Sequence, residues 1–224
     1  MKNKKVGILI HSHLLSAKVW KDIWFGKPPH KLGRAAKGVL LALEERATIV
    51  FFGTGASMKD DMREGEYTRH YLLEHFFELG KFTAFKGINL KKAKKFIEKV
   101  SVSETKSQNT MEEIEAAGRY FKRAGVEKVI LVSSPTHISR CIKDACIVFN
   151  KIKELKPYAQ NVFATPSDVS YFGVGPEDVA IVEPPHRTDR LMDNLNILVN
   201  KIIKLPVDKR KKITKKIEVL LREK

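Results

Sequence analysis

The sequence predicts an α/β fold in which helices cover both faces of a mainly parallel sheet. Short β-branched runs, such as VGILI at Val6–Ile10 and KVILV at Lys128–Val132, alternate with segments of ten or more residues that have helical spacing. This alternation is typical of parallel sheets, because a crossover helix brings each new strand into the same direction. Of the 224 residues, 43% are hydrophobic, which is enough to bury a core between such layers.

Each element follows from its local pattern. Strands are predicted at Val6–Ile10, Thr48–Phe52, Glu98–Val102, Lys128–Val132, Gln160–Ala164 and Val179–Val182. Helices are predicted at Leu32–Arg46, Glu64–Leu79, Gln108–Ala124, Thr136–Ile152 and Thr188–Ile203, with a short basic helix within 81–96. The tryptophan-rich segment 14–32 predicts an irregular excursion with one helical turn. Pro206 favours the first turn of a last, basic helix.

The basic residues concentrate at the two ends of the chain. The net charge is +16; residues 201–224 hold ten Lys or Arg against three acids, and residues 1–34 hold eight against one. We expect one domain over residues 1–204, followed by a basic helix over 205–224. The charge is explained either by a solvated lysine-rich surface or by binding of nucleic acid or another polyanion through Lys209, Arg210, Lys211 and Lys212.

Composition also predicts the compartment. The chain has no run of about 18 apolar residues, so we expect no transmembrane segment. The apolar run Val6–Ile10 is too short for the core of a signal peptide. Cys141 and Cys146 are too few for a disulfide framework and are predicted as small core residues. We therefore expect a cytoplasmic protein.

Parallel α/β sheets bind ligands at the carboxyl ends of their strands, so the loops after the strands are the candidate sites. Gly53-Thr54-Gly55 follows a predicted strand. Glycines there allow the backbone to approach a ligand, and free N–H groups can hold an anion, but an ordinary strand-to-helix turn has the same pattern. The acids that follow can bind a ribose, a metal or a cationic group, or can be favourable charges in the first helical turn; they are Asp60, Asp61, Glu64 and Glu66.

Two later loops carry further candidates. Asn109 lies at the start of a predicted helix, where helix capping and ligand binding are both open. His137 and Arg140 are three residues apart at the start of another helix, so they share a face. Histidine transfers a proton near neutral pH, and arginine can bind a carboxylate or a phosphate with two hydrogen bonds. His11 and His13 lie two apart after the first strand, but a hydrogen-bonding or surface role fits them better than a metal site, and no metal site is predicted.

The two later loops resemble motifs of one family, the YdcF/SanA/ElyC-like family, a domain family of unknown function. Ser107–Glu112 (SQNTME) is similar to the family's S-x-N-T-x-E, and Val132–Arg140 (VSSPTHISR) is similar to its V-T-S-x-x-H-x-x-R. The similar stretch runs from about residue 6 to about residue 166. Gly53-Thr54-Gly55 occupies the position of the family's glycine turn, Glu64 that of a glutamate that opens the next helix, and Arg34 that of an arginine that starts the first helix.

Two positions depart from the family pattern. The family usually has an asparagine where this chain has Glu113. Its first strand usually ends in a glycine-containing turn, where this chain has His11-Ser12-His13. Both departures alter the surroundings of the expected pocket.

The resemblance implies a Rossmann-like α/β fold and a soluble protein that binds a nucleotide-like ligand. One soluble relative binds S-adenosylmethionine, and membrane-anchored relatives act in cell-envelope biogenesis. The implied ligand-binding residues are Arg34, Gly53, Thr54, Gly55, Glu64, Asn109, Thr110 and Ser134. If there is catalysis, His137 is the expected acid or base and Arg140 the expected charge stabiliser. Whether the protein is an enzyme stays open. A hydrolase or transferase acting on a phosphorylated or sugar-nucleotide substrate, and polyanion binding through the basic termini, are the alternatives.

Overall fold

The computed structural model of this chain describes residues 4–170, 202 and 204–222. The chain divides into two compact units, Met1–Val179 and Ala180–Lys224. The predicted strand Val179–Val182 and, apart from residue 202, the predicted helix Thr188–Ile203 lie outside the described residues. The domain boundary expected at residue 204 stays a prediction.

The first unit contains all of the described strands and all but one of the described helices. In chain order these elements are β1 (Val6–Ile10), α1 (Trp20–Trp24), β2 (Gly26–Lys27), β3 (Lys31–Leu32), α2 (Arg34–Glu44), β4 (Ile49–Phe52), β5 (Met58–Lys59), β6 (Met62–Arg63), α3 (Glu64–Glu74), α4 (Leu90–Val100), β7 (Ser101–Ser103), α5 (Thr110–Arg123), β8 (Lys128–Ser133), α6 (Pro135–Lys151) and β9 (Val162–Pro166). In the second unit, α7 (Val207–Arg222) is described by itself.

A five-stranded, fully parallel sheet forms the centre of the first unit, in the order β7-β4-β1-β8-β9. In the register of the central strands, Ile8 of β1 lies opposite Val50 of β4 and Ile130 of β8. Helices cover the two faces. The predicted α/β class, with a Rossmann-like parallel sheet, is therefore confirmed.

Alternate residues of the strands pack into two separate cores. On one face, Ile8 and Phe52 pack with α2 and with the aromatic segment around Trp24. On the other face, Leu9 and Phe51 pack with α5 and α6. Because successive side chains of a strand point to opposite faces, the continuous apolar runs of the sequence fill both cores at once.

Three predicted elements have clearly different bounds in the structure. The basic helix predicted within 81–96 is α4, Leu90–Val100. The strand predicted at Glu98–Val102 is mostly helix: α4 runs to Val100, and the strand is Ser101–Ser103. The helix forms because the Asn89 side chain caps it, accepting a hydrogen bond from the Lys92 N–H at 3.0 Å, and because Ala93 and Ile97 are buried at a helical spacing of four. The helix predicted at Glu64–Leu79 ends at Glu74, and tight 3₁₀ turns follow it at Phe76–Lys81 and Thr83–Phe85.

The irregular excursion predicted for residues 14–32 is largely confirmed. It contains the five-residue helix α1 and the two-residue strands β2 and β3. Trp20 and Trp24 are buried in it and stack against each other with ring centroids 6.0 Å apart. None of the helices in the described part of the chain combines the length and apolar character that a membrane span requires.

Because the strands are parallel, their carboxyl ends all lie at one edge of the sheet. The loops after β1, β4, β7 and β8 all leave the same edge of the sheet, and α2, α3, α5 and α6 begin there. The N-terminus of each helix carries a partial positive charge from its free N–H groups. This edge is therefore where polar side chains from distant parts of the sequence meet.

Gly65 shows how closely the elements pack at this edge. A Cβ atom at Gly65 would lie 2.8 Å from the Phe52 carbonyl oxygen and closer still to the Glu104 carbonyl oxygen. We expect Gly65→Ala to lower the free energy of unfolding by about 2 kcal/mol, because both obstructing atoms belong to the backbone and α3 would have to shift. Urea unfolding of the variant measures this.

Gly80→Ala is the matched control, since its Cβ would meet only the end of the flexible Leu90 side chain, at 3.1 Å. Its unfolding free energy should stay within about 0.5 kcal/mol of the parent protein. Equal effects of the two substitutions would contradict the packing argument.

Candidate functional site

Arg34, the first residue of α2, is completely buried beneath the carboxyl edge of the sheet. Its Nε donates a hydrogen bond to Ser134 Oγ at 2.9 Å. Its Nη1 donates to the His11 carbonyl oxygen at 3.1 Å and also to the Ser12 carbonyl oxygen. The guanidinium thus joins the end of β1 to the start of α6. Arg34 and Ser134, both expected to bind a ligand, are buried and bonded to each other below the surface.

The His11 and Glu113 side chains form a buried pair directly beside this guanidinium. His11 Nδ1 and Glu113 Oε2 are 2.6 Å apart, and the His11 residue is 1% exposed. Burial lowers the pKa of His11, but the neighbouring Cys141 and Glu113 outweigh burial and raise that pKa to about 10. His11 is therefore an imidazolium at neutral pH, and Nδ1–H donates to the Glu113 carboxylate.

Each member of this pair keeps one unused polar atom. His11 Nε2 and Glu113 Oε1 are buried and have no hydrogen-bond partner among the residues that the structure describes. The pair lies between residues 102 apart in sequence, at the two positions that depart from the family pattern. Sequence reasoning missed the contact; the simultaneous departure at both positions was the signal that could have found it.

His137 and Arg140 lie above the buried pair, at the first turns of α6. The His137 ring meets the His11 ring edge-on, with centroids 6.0 Å apart. Its Nδ1 is 2.8 Å from Ser133 Oγ, and its Nε2 is 2.7 Å from Arg140 Nη2. Arginine has no acceptor, so Nε2 must accept this hydrogen bond, and the proton of the neutral ring lies on Nδ1.

The surroundings of His137 keep its ring neutral. Burial lowers its pKa, the positive charges of Arg34, His11 and Arg140 lower it further, and the pKa falls to about 3. The expectation that His137 and Arg140 share a face is confirmed by their direct contact. The uncharged imidazole of His137 therefore lies 6.0 Å from the charged imidazole of His11. The spacing of these residues in the sequence does not reveal this difference in charge.

The exposed Arg140 also joins α6 to α5. Its Nη2 donates to Thr110 Oγ1 at 2.9 Å as well as to His137. Within the described residues, no further hydrogen bond is made by the Nε and Nη1 groups of this guanidinium. Thr110, His137 and Arg140 consequently form a polar group at the edge of the sheet, between the N-termini of two helices.

The glycine loop makes its hydrogen bonds to a neighbouring loop. The Gly55 N–H donates to the Ser107 carbonyl oxygen at 2.7 Å, and the Thr54 hydroxyl donates to the same oxygen. A Cβ at Gly53 would lie 2.5 Å from Glu113 Cγ, and a Cβ at Gly55 would collide with the Thr105 carbonyl oxygen. The missing Cβ atoms of these glycines leave room for Glu113 and the Thr105 carbonyl, not for a ligand. The Gly55 N–H, one of the loop groups that could have held an anion, is already bonded to Ser107.

Glu64 is buried at the start of α3 and accepts a hydrogen bond from the Ser57 hydroxyl. Burial raises the pKa of this carboxyl group; hydrogen bonds from Ser57 and Ser12 oppose that rise, and the charges of Glu113 and Arg34 act in opposite directions. Glu64 thus belongs to the same buried network. A ligand that binds it would have to reach below the surface.

Asn109 caps α5. Its Oδ1 accepts a hydrogen bond from the Glu112 N–H at 3.0 Å, and its Nδ2 donates to the Glu112 carboxylate at 2.6 Å. Of the two possibilities left open by the sequence, capping is the one that the geometry shows. Asn109 is also exposed, so its side chain is accessible to a ligand.

Asp60, Asp61 and His13, the other candidate residues, have positions that the local fold explains. Asp60 and Asp61 are exposed and take left-handed conformations, with φ of 49° and 59°, between β5 and β6, where a two-residue hairpin turn requires them. His13 is half-buried; burial and the charge of Arg34 lower its pKa to about 4. Across the described residues, no group of three or more His, Cys, Asp or Glu side chains is arranged to hold a metal ion.

Cys141, predicted as a core residue, is fully buried, whereas Cys146 is only partly buried. The Cys141 sulfur lies 3.4 Å from His137 Nδ1, a contact that the sequence analysis missed. The signal was present in the spacing, because residues 137 and 141 are one helical turn apart. The buried Cys141 thiol thus lies directly beneath His137.

Arg34 donates from two guanidinium nitrogens, with Nε bonded to Ser134 and Nη1 to the carbonyl oxygens of His11 and Ser12, which the single nitrogen of a lysine does not reproduce. We expect Arg34→Lys to lower the free energy of unfolding by about 3 kcal/mol, because at least one buried oxygen loses its donor. Chemical unfolding followed by circular dichroism measures the loss. Arg46→Lys, an exposed change after the end of α2, is the control and should have an effect below about 0.5 kcal/mol; similar losses in both variants would refute the role of Arg34.

The His11–Glu113 pair predicts a pH-dependent stability. The pKa of His11 is about 10 in the folded protein and about 6.5 when unfolded, so the stabilisation is complete below about pH 6.5 and is lost as the pH rises through about 10. Glu113→Gln removes the charge and keeps an acceptor for Nδ1. We expect the parent protein to be more stable than this variant by about 3 kcal/mol at pH 6, with the difference shrinking toward pH 10.

Urea unfolding at several pH values measures that difference. Glu115→Gln, on the same helix but in an exposed pair with Arg119, is the control and should show little change with pH. A parent–variant difference that stays constant or grows as the pH rises would show that His11 is not stabilised as an imidazolium.

Comparisons with protein-family models, with curated proteins and with solved structures find no match to this chain. The resemblance to the YdcF/SanA/ElyC-like family therefore stays a prediction, and function is argued from the geometry of the site.

Proposed function

We propose that this chain binds a small nucleotide-like ligand at the carboxyl edge of its sheet, and that Arg140 receives a carboxylate or phosphate of that ligand. S-adenosylmethionine, which carries a carboxylate, is the first ligand to test. The observation that carries the proposal is the exposed Arg140 guanidinium, which Thr110 and His137 hold in place through Nη2.

The held guanidinium supports recognition of an anion. Its Nε and Nη1 groups make no hydrogen bond within the part of the chain that the structure describes. An arginine that is already oriented loses less conformational entropy on binding, and the Nε and Nη1 groups of Arg140 keep N–H donors for the oxygens of a carboxylate or phosphate. The N-termini of α5 and α6 on either side add favourable partial charges.

The neutral state of His137 supports the same assignment. With a pKa of about 3, His137 accepts a hydrogen bond from Arg140 and does not compete as a second cation. The ring orients the arginine, while Arg34 and His11 below it contribute positive charge without being exposed. Binding is therefore the role that this arrangement supports, and His137 would act as a general base only if Arg140 released Nε2.

The hydrolase alternative has less support from the geometry. Ser133, the hydroxyl closest to His137, is completely buried. A nucleophile has to reach its substrate, so Ser133 is unsuited to that role in this conformation. A phosphorylated or sugar-nucleotide ligand remains compatible with the Arg140 subsite, and its binding is an outcome of the experiment below.

We further propose that the protein is located in the cytoplasm.

The test is calorimetric titration of the full chain with S-adenosylmethionine and, in parallel, with adenosine monophosphate. We expect one-site binding of at least one ligand, weakened about tenfold or more by Arg140→Ala, because the charge-assisted hydrogen bonding to the anion is lost. Arg123→Ala is the matched control: it makes the same change of charge at the exposed C-terminal end of α5 and should leave affinity unchanged.

Two results would argue against the proposal. One is equal affinity in the parent protein and Arg140→Ala; the other is no binding of either compound by the parent protein. Preference for adenosine monophosphate over S-adenosylmethionine would keep the subsite and assign it to phosphate, which directs the search toward phosphorylated substrates.

A further inference from the structure

The basic helix α7 of the second unit has two chemically different sides. Its 16 residues, Val207–Arg222, include seven Lys or Arg and two acids. In a helix, residues three and four apart lie on one side. Ile213, Ile217 and Leu220 follow this spacing, and Val207 lies on the edge of the same side.

The apolar side is open to solvent. Leu220 is 66% exposed, Val207 is 54% exposed and Ile217 is 45% exposed. Large aliphatic side chains at regular helical spacing lose favourable burial energy when they face water, so such a side is normally covered by an apolar partner.

The opposite side is strongly basic. Its exposed cations are Lys211, Lys212, Lys215 and Arg222, while Lys209 and Lys216, four residues before and three after Ile213, stand at the borders of the apolar side. Arg210, which is half-buried, lies three residues before Ile213 on the apolar side itself. The acids Asp208 and Glu218 reduce this charge only in part. Lysine and arginine have long aliphatic stems, so cations at the borders of the apolar side can extend toward an anionic surface while the helix lies on it.

We propose that α7 lies flat on an anionic lipid surface, with the Ile217 and Leu220 side inserted among the acyl chains and the flanking cations against the lipid phosphates. An exposed apolar side, a basic opposite side and low overall hydrophobicity are the combination by which interfacial helices bind. The helix is too short and too charged to span a bilayer.

Nucleic acid accounts for only half of this pattern. Phosphate contacts need the basic side, but they give no reason for Ile217 and Leu220, three residues apart on one side, to stand exposed beside the partly buried Ile213. A lipid surface uses both sides together. The charge complementarity and the apolar side therefore favour a membrane over the nucleic-acid partner that the basic residues alone suggest.

Val219 and Leu220 provide a matched pair of positions for the test. They are neighbours in sequence, and both are exposed, Val219 to 49%. Val219 lies among the lysines, three residues after Lys216 and four after Lys215, whereas Leu220 belongs to the apolar side. Val219→Glu and Leu220→Glu thus make the same change of charge on opposite sides of one helix.

The experiment is flotation of the full chain with vesicles of phosphatidylcholine alone and of phosphatidylcholine with about one third phosphatidylserine. We expect binding to the mixed vesicles only, decreasing as salt is added. Leu220→Glu should lower the partition coefficient about tenfold or more, since it removes an inserted aliphatic group, and Val219→Glu about threefold, since it changes charge alone. Circular dichroism confirms that both variants keep their helix content.

Equal losses in the two variants would overturn the flat, inserted orientation, because binding would then depend on charge alone. Absence of binding to either vesicle would overturn the proposal altogether. In that case a mobility shift with duplex DNA or RNA, weakened equally by both substitutions, would assign the basic side to nucleic acid.

Discussion

The Arg34 guanidinium holds the carboxyl edge of the sheet together. It begins α2, yet its side chain donates hydrogen bonds to the chain that leaves β1 and to Ser134, where α6 begins. Hydrogen bonds to a buried charge stabilise a protein by about 1.5–3 kcal/mol each, and an unpaired buried charge is strongly unfavourable. The positions of His11 and His137 relative to each other depend on this one cation.

The charges around Arg34 separate two imidazoles that the sequence presents as equivalent candidates. His11 lies against the Glu113 carboxylate and is protonated; His137 faces Arg34, Arg140 and the protonated His11, and is neutral. Cys141 and the Glu113 carboxylate together thus raise the pKa of the ring in the interior, and that ring in turn lowers the pKa of His137 nearer the surface. A buried pair of this kind sets the electrostatic potential of the site without touching solvent.

The sequence predicted the sheet well because apolar runs of β-branched residues leave few alternatives, and the loops after those runs had to meet at one edge. It failed at Glu98–Val102, where apolar residues with helical spacing continue directly into a strand. His137 and Arg140 were found because they share one helical turn. The His11–Glu113 contact was missed because only folding brings these positions together, and local spacing contains no information about a pair from different elements.

The bonding of Gly53-Thr54-Gly55 to the Ser107 loop affects how such a site can change over evolution. In many phosphate sites the backbone itself grips the ligand, and the specificity is then built into the course of the main chain. Here the Gly55 N–H is bonded to a carbonyl oxygen, and Gly53 packs against Glu113. Under the proposed function, recognition falls to side chains at the surface, such as Thr110 and Arg140. A family of proteins on this framework could acquire new ligand preferences by single substitutions at those positions, with the scaffold below left intact.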